Sequence, residues 1–349
     1  VPSYPPAQSL QEHLATRTRL FQTAQYTEIA GIPELRSSLS THMNKVYKGN
    51  TSLNNVLISS GCNQAYCLTI MALAKAGDEI ILPEPYYFNH LMWLEMLGIK
   101  AKLMPFKPTQ NGIPNPQDAE RLLTKKTKAI VLISPNNPTG AIYPPDVITS
   151  FYELARDKEI ALIIDETYKD FLGSIQPHSL FQKKQWEETF IQIYSFSKVF
   201  SLTGYRVGSI IAGDKTINSI TKIMDTLAIC APRISQDAAL FGLANLSNWV
   251  SKKQKIIKER CDFVQGLFQS KDINFELVSC GAYFAYIKHP FVELSARQVA
   301  MKLAKQANIL CLPGTFFGPN QEHFLRFAFA NASIEEMTLV EERLRQYYD

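Results

Sequence analysis

No apolar stretch in this chain approaches the roughly 20 residues that a bilayer-crossing helix needs, so no membrane span is expected. No basic block stands out either. The 36 Lys and Arg and 32 Asp and Glu are spread along the sequence and leave a net charge of +4. Nucleic acid and an anionic membrane surface are therefore not the expected partners. Six cysteines (Cys62, Cys67, Cys230, Cys261, Cys280, Cys311) are scattered without the spacing of metal ligands or of a disulfide framework. They read as buried free thiols of a reducing, cytoplasmic compartment, and no metal is expected. Internal repeats and low-complexity segments are missing too. The chain begins at Val1 with no charged-then-apolar leader, and its natural N-terminus is expected to lie upstream.

What is there describes an ordinary folded protein. Hydrophobic residues make up 46% and charged residues 19% of 349 positions, enough for one large α/β domain and a smaller one. After helical patterns at 10–21 and 34–47, short apolar runs recur at 56–59, 79–82, 101–104, 129–133, 160–164, 190–193 and 207–212, most with helical patterns between them. Continuous apolar runs alternating with helices predict a mostly parallel sheet covered on both faces. Beyond residue 216 the pattern changes to long helices at 217–246 and 249–271. Strands at 283–287 and 324–329 then mix with helices at 296–307 and 334–347. The expected division is a large domain over 35–265, with 1–34 joining 266–349 in a small α+β domain.

In a parallel sheet ligands collect at the carboxyl ends of the strands, and the polar and glycine-bearing segments fall there. Gly61-Cys62-Asn63 opens a helix whose free N–H groups make an anion site. Asp165 ends an apolar strand, where an unpaired carboxylate is costly, so it needs a cationic or N–H partner. Asn137 lies in the turn Ser134-Pro135-Asn136-Asn137-Pro138-Thr139-Gly140, and Tyr87 follows Pro83-Glu84-Pro85-Tyr86. Ser195, Ser197 and Lys198 follow the central strand, with Arg206 eight residues after the lysine. Taken singly, each has a plainer reading: salt bridge, turn chemistry, core packing or surface loop. Together they suit a planar heteroaromatic ring bearing a phosphate. The phosphate would lie at Gly61-Cys62-Asn63, Ser195 and Arg206, the ring nitrogen at Asp165, and the ring hydroxyl at Asn137 and Tyr168. Tyr87 would stack on the ring, and Lys198 would bond its aldehyde. That describes pyridoxal 5′-phosphate.

The chain resembles the class I/II aminotransferases of fold-type I enzymes dependent on pyridoxal phosphate. The resemblance runs from YTEIAGIPELR at Tyr26 through ISSGCNQA, LPEPYY, ISPNNPTG, IIDETY and YSFSKVFSLTGYRVG. It continues to CGAYFAYI at Cys280, LPGTFFG at Leu312 and LRFAFAN at Leu325. It implies that Lys198 carries the cofactor and shuttles the proton. It also implies that Asp165 keeps the ring nitrogen protonated, that Asn137 and Tyr168 hold the ring hydroxyl, and that Arg326, with Asn137, grips the substrate α-carboxylate. Tyr26 matches a tyrosine that reaches the cofactor phosphate of a neighbouring subunit, which implies a homodimer with shared active sites.

The resemblance departs in two places. A glycine-bearing segment that the family has upstream of Val1 is not in this sequence, and Arg233 stands in LAICAPRISQ where many members have a small or neutral residue. Arg233 either meets an acidic substrate across the dimer or forms a surface salt bridge. Pocket walls are expected from Tyr4, Tyr26, Tyr87 and Tyr283, an aromatic set suited to large neutral amino acids, with a 2-oxo acid as acceptor. The same cofactor chemistry also serves cysteine-conjugate β-lyases and biosynthetic enzymes. A cofactor-binding regulatory domain is a further alternative, although the chain has no basic N-terminal domain.

Overall fold

The computed structural model describes residues 2–270 and 272–346, and two sheets organise them. The far ends of the helices expected at 249–271 and 334–347, like Val1, lie outside the described residues. The larger sheet contains β1 (Val56–Ser59), β2 (Glu79–Pro83), β3 (Lys100–Met104), β4 (Thr127–Ile133), β5 (Ala161–Asp165), β6 (Phe190–Ser195) and β7 (Gly208–Ile211), in the order β1-β7-β6-β5-β4-β2-β3. The pairs from β3 through β6 are parallel, and β7 runs against both of its neighbours. The inner strands β5 and β6 are buried at every residue, as their near-continuous apolar sequences require of a sheet covered on both faces. Edge strand β3 (KAKLM) is the most exposed, and its lysines discourage pairing with another chain.

The covering helices bury one stripe each. In Pro145–Asp157 the buried residues are Ile148, Phe151, Tyr152 and Ala155, a helical spacing, with Pro145 at the first position where its missing N–H costs nothing. The single helix expected at 217–246 is two. Asp214–Ala228 and Arg233–Asn245 are separated at Ile229, which has φ of 62°, and Pro232. Proline lacks the donor and clashes with the preceding turn, so the helix ends before it.

The smaller sheet is antiparallel, with β8 (Glu276–Gly281), β9 (Phe284–Lys288), β10 (Leu312–Pro313) and β11 (Phe324–Ala328) in the order β10-β11-β9-β8. Strand β8 is not anticipated by the sequence reading. Its residues ELVSCG do not alternate cleanly, and its pairing with β9 contains a register shift between Leu277 and Ser279. Helices Ser247–Leu267, Ala296–Gln306 and Ile334–Gln346 contribute Ile257, Val264, Val299, Leu303 and Met337 to its core. The N-terminal helix Gln8–Arg17 departs from the expected division. Its Leu10 and Leu14 pack with Leu35 and Ile58 in the core of the larger sheet, because its apolar face meets helix Arg233–Asn245 rather than the C-terminal layer.

Candidate active site

Antiparallel β7 builds the anion end of the site. Because it runs backward, its amino end lies at the carboxyl ends of β1 and β6, where Gly208 pairs with both Ser59 and Ser195. Arg206, two residues before, is thereby returned to the strand ends. A Cβ on Gly208 would meet Gly61 C, Tyr194 O and Cys62 N at 2.7–2.8 Å, so only glycine allows the three segments to converge. Gly61, at φ of 89°, precedes helix Cys62–Leu73, and a Cβ there would run into the Arg206 guanidinium. Arg206 is steadied by a 2.9 Å bond from Nη1 to Thr203 O. First-turn N–H groups, a guanidinium and two serine hydroxyls form a donor set suited to a phosphate.

Ser195 caps the short helix Phe196–Val199 by accepting from Ser197 N at 3.2 Å. The Ser197 hydroxyl is buried with no partner among the described residues. Lys198 follows, its Nζ 5.9 Å from the centre of the Tyr168 ring. Burial, then the charges of Arg206 and Arg326, lower its pKa to about 8. A lysine so placed has a neutral, nucleophilic amine within reach of physiological pH.

Asp165, at the end of β5, is buried and fully engaged. His90 Nε2 lies 3.3 Å from its Oδ2, Thr167 N donates to Oδ1 at 3.0 Å, and Cys62 Sγ lies 3.5 Å from Oδ1. Burial pushes this carboxyl up, but the His90 and Thr167 hydrogen bonds outweigh it and hold the group below its ordinary value. Asp165 is therefore a carboxylate facing the cavity, able to pair with a protonated ring nitrogen. Burial and that same carboxylate push the Cys62 thiol far up, so Cys62 is a neutral neighbour. His90 was missed by the sequence reading. It stacks on Tyr66 with ring centres 4.0 Å apart and stands one helical turn after Tyr87, and that spacing is the signal that could have found it.

Opposite the lysine, Arg326 in β11 donates from Nη1 to Asn137 Oδ1 at 3.0 Å, joining the two sheets. Its guanidinium lies between Phe284 and Phe317, 4.7 and 5.0 Å from the ring centres, and its Nε is buried without a partner among the described residues. That leaves unspent donors for a carboxylate. Tyr168 is buried beside Asn137 and Lys198, its phenol pushed up by burial. Tyr87 also lines the cavity and accepts from Asn89 Nδ2 at 3.0 Å.

One cavity thus brings together Cys62, Asn63, Tyr87, Asn137, Asp165, Tyr168, Ser195, Lys198 and Arg206 of the expected residues. Gly61 shapes its floor, and Arg326 reaches it through Asn137. Asn63 accepts at its side-chain oxygen from Trp93 Nε1 at 3.2 Å, and its backbone N–H belongs to the first turn of helix Cys62–Leu73. Tyr26 does not belong to this chain's cavity; it is 77% exposed. Nor do Tyr4 and Tyr283 line it. Their hydroxyls lie 3.5 Å apart, Tyr283 is packed behind Tyr168, and Tyr4 is packed against Trp249. Arg233 lies outside the cavity as well and pairs with Asp237, which also holds Arg17.

The model of the class I and II aminotransferases matches residues 7–344. The chain belongs to that family. It is an aminotransferase. It is similar to the aspartate aminotransferase of Thermotoga maritima, 28% identical over 99% of this chain and 89% of that protein. It is also similar to the aromatic aminotransferase ISS1 of Arabidopsis thaliana, 27% identical over 90% of this chain and 80% of that protein. The crystal structure of an aromatic aminotransferase from Pyrococcus horikoshii OT3 superposes with a TM-score of 0.93, covering 99% of this chain and 93% of that one at 22% identity, and shares the fold.

The residues of this aminotransferase fit the cofactor expected from the sequence. A phosphate at the Gly61 cradle would meet Arg206 and give the orphaned Ser197 hydroxyl a partner within the same loop. A protonated ring nitrogen would meet a carboxylate already held ionised.

Proposed function

We propose that this aminotransferase uses pyridoxal 5′-phosphate to move the amino group of an L-amino acid, with large neutral or aromatic side chains favoured, to a 2-oxo acid in a ping-pong cycle. The observation that carries the reading is the placement of Lys198, with its lowered pKa, in one cavity with Asp165 and Arg206. When bound, the cofactor supplies an electron-withdrawing ring that accepts electron density as the amino acid loses its Cα proton. Lys198 would hold the cofactor at its aldehyde carbon, and its Nζ would serve as the base for the Cα proton. Asp165 would hold the ring nitrogen's proton, with His90 orienting Asp165, and Asn137 and Tyr168 would hold the ring hydroxyl. Tyr87 would supply an aromatic wall beside the ring. Gly61, the N–H groups of Cys62 and Asn63, Ser195 and Arg206 would anchor the phosphate. Arg326, with Asn137, binds the α-carboxylate as a fork.

The donor preference rests on charge. Among the described residues, the cations at this site are Lys198, Arg206 and Arg326, each with a task, and Arg233 is held by Asp237. Within one chain a second substrate carboxylate therefore finds no free cation, whereas Phe284 and Phe317 offer apolar surface beside Arg326. The exposure of Tyr26 on one chain supports reading it as a contact to a second copy's phosphate in a homodimer. We place it in the cytoplasm, consistent with six free cysteines, and take the chain as a large cofactor domain with a smaller C-terminal one. The test is the absorbance of protein loaded with the cofactor, compared with Lys198→Ala. The native protein gains a visible band from a lysine-bound cofactor, and the variant gains none. Covalent attachment surviving in the variant overturns the assignment.

A further inference from the structure

Cys261, on helix Ser247–Leu267, and Cys280, on β8, are both free and half-buried, with their sulfurs 3.3 Å apart. We propose that they form a redox-active dithiol that a low-molecular-weight disulfide converts to an intramolecular disulfide, and that this bond acts on the loop carrying Asn137.

The two thiols have different jobs. Cys280 also points its sulfur at Cys261 O, at 3.9 Å, as a donor. Either sulfur can donate in their contact; with the Cys280 proton directed to Cys261 O, the contact draws the Cys261 thiol down, against burial and the charge of Asp262. In this proposal Cys261 is the thiolate that attacks. In the first step the Cys261 sulfur bonds to one sulfur of the oxidant, RSSR, and the other leaves as a thiol. In the second, Cys280 gives up its proton and its sulfur displaces the remaining RS group. One S–S bond breaks and one forms; the two cysteines lose two electrons and two protons, and RSSR becomes two RSH. The sulfurs then stand at about 2.05 Å.

The position gives this bond a lever. The residues on either side of Cys280 both hold the Asn137 loop: Ser279 Oγ donates to Thr139 O at 2.8 Å, and Gly281 touches Gly140 so closely that a Cβ on either would collide with the other's backbone. Gly281 also pairs with Phe284, whose ring carries Arg326. Drawing Cys280 toward the helix moves the strand segment that seats both Asn137 and Arg326.

The experiment incubates the folded protein with excess oxidised glutathione, then counts free thiols and maps disulfide-linked peptides. Two of the six thiols are expected to disappear, with a Cys261–Cys280 peptide, no retained glutathione, and full reversal by dithiothreitol. Cys280→Ala is expected to trap glutathione on Cys261. Unchanged thiols, a stable adduct on the native protein, or a different pairing overturns the dithiol. The loop arm rests on the aminotransferase reading: the oxidised protein keeps its visible cofactor band but shows KM for the amino donor changed by about fivefold or more, the lower end of typical coupling. An unchanged KM with the disulfide formed overturns that arm alone, and loss of the band in Lys198→Ala tests the cofactor reading separately.

Discussion

His90 Nε2 lies 3.3 Å from Asp165 Oδ2, on a ring held flat against Tyr66. The histidine thus fixes the face of the carboxylate turned away from Thr167 and Cys62, leaving the orientation of Asp165 little freedom. Replacing Asp165 by Asn is expected to preserve cofactor binding but lower kcat by about 100-fold or more, the scale of losing one electrostatic partner of the reacting centre. His90→Phe keeps the stack and removes one charge-assisted bond, for a loss of roughly tenfold. Steady-state kinetics on both variants check the order; a near-normal Asp165→Asn would mean that the residue is only a structural ion pair.

The lowered pKa of Lys198, about 8, fixes the sign of a pH effect. Below that value the amine is protonated and cannot attack an aldehyde; above it the amine is neutral. Cofactor uptake by cofactor-free protein is expected to accelerate with rising pH and level off above about 8, well short of the 10.5 of an ordinary lysine. Linkage gives the companion result. Between these two values the unfolded chain binds more protons at this lysine than the folded one, so its contribution to stability rises with pH. Rapid-mixing absorbance across pH 6.5–10.5 measures the uptake, and a midpoint near that of a free lysine refutes the environment assigned to Lys198.

These residues differ in how readable they are from sequence alone. Asp165 and Lys198 follow apolar runs directly, so the strand end that positions each is adjacent in sequence. Arg206 depends on β7 reversing direction, and its proximity to Gly61 is a product of sheet topology. Arg326 meets Asn137 across 189 residues, and no local pattern marks that pairing; only family resemblance pointed to it. Tyr283 looked like a pocket wall because it is aromatic and near the motif, but burial behind Tyr168 is a matter of packing depth that sequence does not encode. The break at Pro232 was legible and was overlooked.

Glu166 turns the other way from Asp165, into the body of the protein. Its carboxylate accepts from Tyr47 OH at 2.8 Å and from Gln192 Nε2, and His178 Nε2 lies 3.3 Å away, all of them buried. Removing it leaves His178 Nε2 without this partner, and Tyr47 OH and Gln192 Nε2 with only the 3.1 Å bond between them. Glu166→Ala is expected to lower unfolding free energy by about 3 kcal/mol, as for breaking a buried ionic network, while Glu166→Gln loses less. Chemical denaturation of the three proteins checks this, and an equal stability of Ala and native chains would mean that the network contributes nothing net.

Arg326 presents its fork beside Asn137, between two phenylalanine rings. Lysine at this position keeps the charge but not the paired geometry. Arg326→Lys is expected to reduce kcat/KM for every amino donor by on the order of 100-fold, the scale of truncating a buried charge pair, with cofactor absorbance unchanged. Equal loss of cofactor and substrate binding would assign Arg326 to the cofactor instead.

The preferred donor is expected to follow from which cations are free. An aspartate side chain needs a second positive group, and the one extra arginine suggested by the sequence, Arg233, lies outside the cavity and is bound to Asp237. That carboxylate is nearly buried and also accepts from Arg17 at 3.0 Å, so freeing Arg233 means leaving Asp237 with a single partner. A large apolar side chain meets no such cost, and burying one contributes about 1.5–3 kcal/mol, roughly one to two powers of ten in kcat/KM. Phenylalanine, methionine and kynurenine are therefore expected to exceed aspartate as donors, with Arg233→Ala leaving the order unchanged. A panel of kcat/KM values for these four amino acids with 2-oxoglutarate, run on both proteins, makes the comparison. If aspartate leads and Arg233→Ala removes its lead, Arg233 is the specificity residue and must leave Asp237 to act on the substrate.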